Sequence, residues 1–172
     1  MTMQIAEQKN AAIPVESNQV LTFTLGEETY GVDILRVQEI RGFSPVTRIP
    51  QSPPHILGVL NLRGSIVPIV DLRMRFTLER AEYTPLTVII VLSVESAVGR
   101  RDFGVVVDGV SDVIDVPVGD VKPAPELGAH VSTEFIEGLA SVSGRMVMLL
   151  DIDQLIGRDV TGVTALPAAA NG

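Results

Sequence analysis

The chain has 172 residues, no Cys, 46% hydrophobic residues and a formal net charge of −8. Such a chain can bury a core without staples as one domain, and it offers no disulfide, thiolate metal site or cysteine nucleophile; the acidic balance argues against binding a phosphate backbone. No apolar run approaches the ~20 residues that span a bilayer, and residues 1–19 lack the basic start and apolar segment of a signal peptide, so a cytoplasmic protein without membrane insertion is expected.

Residues 1–18 are polar and patternless and are expected to be disordered. Leu21-Thr22-Phe23-Thr24-Leu25 alternates with period two, which predicts a half-buried strand, and after the turn Gly26–Thr29 a second strand begins at Tyr30-Gly31-Val32. Asp33 is placed to cap a helical turn through Ile34, Val37 and Ile40, although Val37 and Ile40 fit a strand equally. Pro45, Pro50, Pro53 and Pro54 make residues 42–54 a loop. Ile56–Leu62, a turn at Arg63-Gly64 and Ser65–Val70 read as strand, turn, strand; Pro68 cannot donate to a ladder, so its strand is expected at an edge or at a bulge. Asp71 stands as N-cap of a short helix, Leu72 to Phe76.

Val88–Leu92 is wholly apolar and predicts a deeply buried strand, followed by a polar turn at Gly99–Asp102 and a strand from Phe103. Pro117, Pro123 and Pro125 mark another connection. Arg145–Leu150 is a strand, Asp151 a cap, Asp153–Ile156 a short helix and Gly157 its stop. The tail 158–172 is expected to be disordered.

The pattern occurs twice. At an offset of 80, Ile56, Gly58, Gly64, Val67 and Asp71 meet Ile136, Gly138, Gly144, Val147 and Asp151. At an offset of 73, Tyr30-Gly31-Val32 faces Phe103-Gly104-Val105, and Glu39 faces Asp112. Glycines and an aspartate in register indicate a duplicated supersecondary unit, too few copies for a solenoid. Many short strands with Gly/Pro turns and only short helices indicate small barrels or a sandwich; the duplication makes it two similar β units, and barrels with so few strands would be filled by side chains, without an interior ligand cavity. Charge divides along the chain as well. Residues 36–80 carry seven Arg against Glu39, Asp71 and Glu79, whereas residues 81–160 carry thirteen acidic groups against five basic ones. Opposite patches of this kind suit head-to-tail contact with a similar module.

Chemistry is harder to find. His55 and His130 lie in Pro/Gly-containing connections, where the local sequence offers neither an orienting group nor a substrate pocket to make a general base; Lys occurs only at 9 and 122, and no phosphate-binding glycine motif is present. Asp71, Asp151 and Asp153 are too readily explained by helix capping to imply paired catalytic carboxylates or a metal. One asymmetry stands out. Arg63 sits at a hairpin tip, and its counterpart in the repeat is Ser143, with the turn glycine kept in both. A structural demand would act on both copies, so the charge points to a partner, and Arg is a frequent hot spot of interfaces. Glu39 invites the same argument less strongly, because Asp112 keeps its charge.

Tyr30–Ile40, Val46–Pro50 and Gly58–Arg73 together resemble the CheW family of chemotaxis coupling proteins. The resemblance runs from about residue 20 to 157. It implies a mainly β fold of two similar five-stranded barrels packed on a shared hydrophobic seam, roughly 21–84 and 86–157, with strand exchange possible at the N-terminus, within a single domain 19–157. It further implies a non-enzymatic adaptor without cofactors, linking the cytoplasmic tips of methyl-accepting receptors to the regulatory domain of the histidine kinase CheA. The receptor-binding positions so implied are Ile34, Val37, Glu39, Gly58 and Arg63; kinase-contact residues are left open. A coupling protein of a non-flagellar array and a small-barrel enzyme are the other readings.

Overall fold

In the computed structural model, the described residues are 17–52, 55–75, 83–96, 99–123 and 135–156. They form ten strands: β1 (Ser17–Leu25), β2 (Glu28–Asp33), β3 (Val37–Gly42), β4 (Ile56–Leu62), β5 (Ser65–Asp71), β6 (Val88–Ser96), β7 (Gly99–Val107), β8 (Gly109–Pro117), β9 (Ile136–Val142) and β10 (Arg145–Leu150). Two short helices, α1 (Leu72–Arg75) and α2 (152–156), follow β5 and β10. The expectations for residues 1–16, His130, Gly157 and the tail lie outside the described residues.

The strands make two five-stranded sheets that do not follow the sequence halves. Lobe I has the order β3-β6-β7-β5-β4 and lobe II the order β8-β1-β2-β10-β9. A boundary near residues 84–86 therefore does not separate them. The hairpin β1–β2 joins lobe II through a parallel ladder with β10, and β6–β7 joins lobe I through a parallel ladder with β5. The chain crosses between lobes after β2, through a 3-10 turn at Ile34–Arg36, and again after β7 at Asp108.

This crossing puts the largest apolar cluster between the sheets rather than inside either. Phe23, Leu25, Tyr30 and Val32 of lobe II pack with Ile90, Leu92, Phe103 and Val105 of lobe I, together with Ile56, Leu72, Met148, Ile152 and Ile156. Two smaller clusters fill the lobes, one around Val67, Ile69, Ile89 and Val106, the other around Val20, Val116, Val147 and Leu149. At about 1.5–3 kcal/mol per buried large apolar side chain, the shared seam holds most of the hydrophobic stabilisation.

The duplicated glycines have duplicated reasons. Thr47 bridges Val59 and Lys122 bridges Leu139, so the chain beyond β3 and beyond β8 folds back on the far edge strand of its own sheet. A Cβ on Gly58 would strike the Thr47 carbonyl, and one on Gly138 would come within 2.5 Å of Val121 Cγ1 and 2.8 Å of Lys122 O. Gly31 and Gly104 likewise face Leu149 and Ile69 in the parallel ladders, and a Cβ on Gly104 would lie 2.6 Å from Ile69 Cδ1. The turn residues Arg63 and Gly64 have φ of 53° and 88°, Ser143 and Gly144 have 52° and 80°, the two positive φ values of a tight hairpin turn.

Two local expectations change. Pro68 is on β5, which is interior, flanked by β4 and β7. Its missing N–H is tolerated because the ladder with β7 begins only at Ile69. Gly99–Asp102 is strand, with Asp102 opposite Ser93 and Gly99 opposite Ser96, so the reversal lies before Gly99. Cross-strand pairing of Arg100 with Glu95, Nη2 to Oε2 at 2.9 Å, keeps this polar run in the ladder.

Because Gly58 meets backbone, which cannot swing aside, Gly58→Ala is expected to cost about 3 kcal/mol, whereas Gly42→Ala, with open space around it, should stay within about 0.5 kcal/mol of the parent. Urea unfolding of the two variants measures the difference.

Candidate functional site

The five candidate residues spread over three elements. Ile34 lies in the 3-10 turn, where Asp33 Oδ1 accepts the Leu35 N–H at 2.9 Å and so supplies the cap expected from the sequence. Val37 opens β3, and both Ile34 and Val37 are half-buried against the seam. Glu39 follows a bulge in the β3–β6 ladder, where the register shifts between Val37 and Glu39. Arg63 projects from the β4–β5 turn, a left-handed position for a residue with a Cβ. It is held open by Asn61, whose Oδ1 accepts the Gly64 N–H at 2.9 Å.

Glu39 and Arg63 belong to opposite edges of the sheet, yet their side chains meet. Arg63 Nη2 is 2.6 Å from Glu39 Oε1, and Arg41 Nη1 approaches Oε2 at 3.4 Å. Glu39 is therefore claimed by two guanidinium groups, and the corner keeps one positive charge in excess. The Arg63 side chain is 70% exposed, so its outer face remains open to a partner. Exposed Ile40 and Ile66 lie beside Glu39 and two residues beyond Gly64, and Leu35 is 83% exposed next to Ile34. Apolar surface around a cation with a fixed anchor can seat an amphipathic segment that carries an acidic group.

Gly58 stands apart from this group. It is buried on β4, and its contribution is the space it leaves for Thr47. The repeat makes a similar corner in lobe II. There Asp112 lies 3.7 Å from Arg145 Nη2 and takes the Thr22 hydroxyl at 2.6 Å, with Val113 and Met146 exposed at the positions matching Ile40 and Ile66.

Four charged residues, to which the sequence reading gave no role beyond helix capping by the aspartates, form two ion pairs. Arg73 and Asp71 are buried, at 1% and 0% side-chain exposure. Arg73 Nε and Nη2 each donate to Asp71 at 3.0 Å, Nη1 reaches Asp108 at 3.3 Å, and the guanidinium carbon lies 5.0 Å from the centre of the Tyr83 ring. Burial alone would lower the Arg73 pKa, but the hydrogen bonds and charges of Asp71 and Asp108 outweigh it and raise it. Asp71 does cap α1, taking the Arg73 N–H at 3.0 Å, and it grips the same residue's side chain besides. Asp151 takes the Gln154 N–H at 3.1 Å in the equivalent cap. The fourth pair member, Arg36, binds Asp153 with both terminal nitrogens, and that hydrogen bond chiefly raises its pKa. A signal for these pairs existed: at the offset of 80, Arg73 stands where Asp153 does, a charge reversal at matched positions.

Charge also separates by lobe. The strands, helices and turns of lobe I carry Arg41, Arg48, Arg63, Arg73, Arg75, Arg100 and Arg101 against Glu39, Asp71, Glu95 and Asp102. Those of lobe II carry nine carboxylates, among them Glu27, Glu28, Asp112, Asp115 and Glu137, against Lys122 and Arg145. Among the described residues, no group of three His, Cys, Asp or Glu is placed to hold a metal, and no helix is long and apolar enough to cross a membrane. A cavity bordered by Asn18, Gly31, Asp33 and Glu137 measures about 40 Å³, room for a few waters at most.

A family model described as the CheW-like domain matches residues 19–160. The chemotaxis protein CheW of Klebsiella aerogenes is 48% identical over 141 residues, which cover 82% of each chain. That of Rhizobium meliloti is 38% identical over 137 residues, 80% of this chain and 86% of the relative. Among solved structures, the scaffolding protein TtCheW of Thermoanaerobacter tengcongensis superposes with a TM-score of 0.74 at 31% identity, covering 82% of this chain and 93% of that one.

The contrast between the two ion pairs gives a prediction. Removing one partner of a buried pair strands the other charge, so Arg73→Met should cost about 3–5 kcal/mol, while Arg63→Ala, at an exposed pair, should cost less than about 1 kcal/mol. Denaturant unfolding of both variants checks the ranking.

Proposed function

The chain belongs to the CheW family, and from that premise we propose that it is a non-enzymatic adaptor coupling methyl-accepting chemotaxis receptors to the histidine kinase CheA. The observation that carries this is the extent of the match: residues 19–160 take in nine of the ten strands whole and all but the first two residues of β1. Lobes, seam and crossings all fall inside it.

The receptor-facing surface in this reading is the corner built by Ile34, Val37, Glu39 and Arg63, with Gly58 shaping β4 beneath it. Ile34 and Val37 give an apolar rim continuous with the seam. Arg63, anchored by Glu39, supplies a cation aimed outward. An α-helix laying an apolar stripe along such a rim, with a carboxylate near Arg63, is a helix-in-groove contact. The regulatory domain of CheA would meet other faces, and the division of charge between a basic and an acidic lobe suits head-to-tail contact with a module of the same kind. Coupling then follows from linkage: a protein that binds two partners at once makes the state of one affect the other. No cofactor is required, nothing in the acidic chain suits nucleic acid, and association with the membrane would be indirect, through the receptors.

Sedimentation of receptor signalling fragments on liposomes tests the reading. With this chain present, CheA should move to the pellet and its autophosphorylation should become receptor-dependent; failure to bind either partner overturns the assignment. In the same assay Arg63→Ala should weaken receptor binding about tenfold, within the range for interface hot spots, with an unchanged thermal midpoint. Receptor binding equal to the parent would remove Arg63 from the interface.

A further inference from the structure

Arg73 and Asp153 are matched at the offset of 80 with opposite charge, and each pairs with a residue of opposite sign at a crossing between the lobes, Asp108 and Arg36. In the first, Arg73 on α1 of lobe I holds Asp108, the residue at which the chain crosses from β7 to lobe II. Asp108 Oδ2 in turn accepts the Gly26 N–H at 2.7 Å, and its own N–H donates to Thr24 O at 3.0 Å, both on the β1–β2 hairpin of lobe II. In the second, Asp153 on α2 of lobe II holds Arg36, the residue at which the chain crosses from β2 to lobe I, at 2.6 and 3.0 Å. Asp153 Oδ1 accepts the Glu95 N–H at 2.9 Å, and Arg36 Nη1 donates to Ser93 O at 2.9 Å, both on β6 of lobe I. Each helix is thus tied to the other lobe's incoming hairpin through a charged residue at a crossing. A cap or a packing need would have called for the same residue in both copies. The ion pair persists while its signs exchange, so the pair itself is what the place requires.

The two ties differ in strength. Arg73 is 1% exposed and has Asp71 and the Tyr83 ring as further partners, which makes it a rigid pivot. Arg36 and Asp153 are 25% and 32% exposed, so water and salt weaken that tie. It also stands immediately before Val37, the first residue of β3.

We propose that Arg36 and Asp153 are positioning residues, a releasable latch between the lobes that sets the angle at which β3 offers Val37 and Glu39 to a partner helix. The latch is a property of the free chain. Only its consequence for receptor binding rests on the function proposed above.

The chain has no Cys, so Arg101→Cys in lobe I and Asp115→Cys in lobe II give one unique pair of spin-label sites, both exposed. Electron–electron double resonance then reads the distance between lobes directly. At low salt the parent should give one narrow distribution, and Arg36→Gln and Asp153→Asn should each broaden it. Raising salt to about 1 M, where the Debye length falls to about 3 Å, should broaden the parent and leave Arg36→Gln as it was. A parent-like distribution in both variants at low salt overturns the latch. In a second arm, titration with a soluble receptor-tip fragment should find Arg36→Gln weaker by about fivefold, the low end of coupling between sites, at a thermal midpoint close to the parent's. Lobes that open without any change in affinity overturn the positioning role. If the parent itself binds no receptor fragment, the adaptor reading fails, and the distance measurement still decides the latch.

Discussion

Two short parallel ladders, three residue pairs each, hold this molecule in its shape: Val147, Met148 and Leu149 beside Thr29, Tyr30 and Gly31, and Ile69, Val70 and Asp71 beside Gly104, Val105 and Val106. Through them β1–β2 and β6–β7 are each joined to the hairpin that completes their sheet. Lobe I is built from the consecutive strands β3 to β7, but lobe II can be completed only by crossing to lobe I after β2 and returning after β7. Removing Phe23 or Phe103 from the apolar seam would be felt by both lobes. Crowding beside the ladders also explains why Gly31 and Gly104 are glycines: a Cβ on Gly104 would strike Ile69 of the parallel strand, and one on Gly31 would strike Val20 of β1 and press on Leu149 of β10.

A seam with this much apolar area changes what the charged residues are for. Arg73 and Asp71 are desolvated, and an ion pair so placed gains little net stability over a well-packed apolar pair, while leaving either partner alone is costly. Its value is directional. Arg73 reaches Asp71, Asp108 and Tyr83 at once, and that geometry is satisfied in one arrangement of the lobes only. Arg63 is the opposite case. Its pairing with Glu39 is exposed and adds little to folding, but it aligns a guanidinium whose charge is not cancelled, because Arg41 shares the same carboxylate. A left-handed φ at Arg63 adds strain at the spot where a partner is expected; Ser143 carries the same φ without the charge, so the strain belongs to the turn and the charge to the site.

Much of this was readable from the residues, and the failures have a common origin. Glycine and aspartate in register disclosed the duplication because backbone space and capping are local demands, tied to one or two neighbours. The hairpins β1–β2 and β4–β5 were legible for the same reason. The place of β1–β2 beside β10 was suggested only by the family resemblance, as strand exchange at the N-terminus, since the all-apolar runs Val88–Leu92 and Val147–Leu150 accept a neighbour on either side, and alternation gives no register when both faces are buried. Gly99–Asp102 has the polarity of a turn, and these residues are indeed exposed, yet Arg100 and Arg101 stay in the ladder opposite Glu95 and Val94. Arg36 and Asp153 stand 117 residues apart in sequence; the repeat marks Asp153 by its match to Arg73, but nothing local joins it to Arg36. Of the candidate corner, Glu39 and Arg63 were singled out separately by their charges; that they pair, across the two edges of one sheet, required the fold.

In the proposed reading, stability and recognition are consequently carried by different residues. The seam and the buried Arg73 cluster commit the lobes to each other, so the outer corner is free to bind weakly and release. An adaptor needs that separation. If the groups that face a partner were also those that hold the fold, every change of partner would be charged against folding, and evolution of specificity would be confined to near-neutral exchanges. Here Arg63, Ile40 and Ile66 can vary at small cost to stability, because each is exposed on a scaffold whose register is set elsewhere. Between the committed seam and the free corner stands Arg36, half-exposed and next to Val37. Its guanidinium reaches Ser93 of lobe I and Asp153 of lobe II while its backbone runs directly into β3, so it joins the scaffold to the strand that carries Val37 and Glu39.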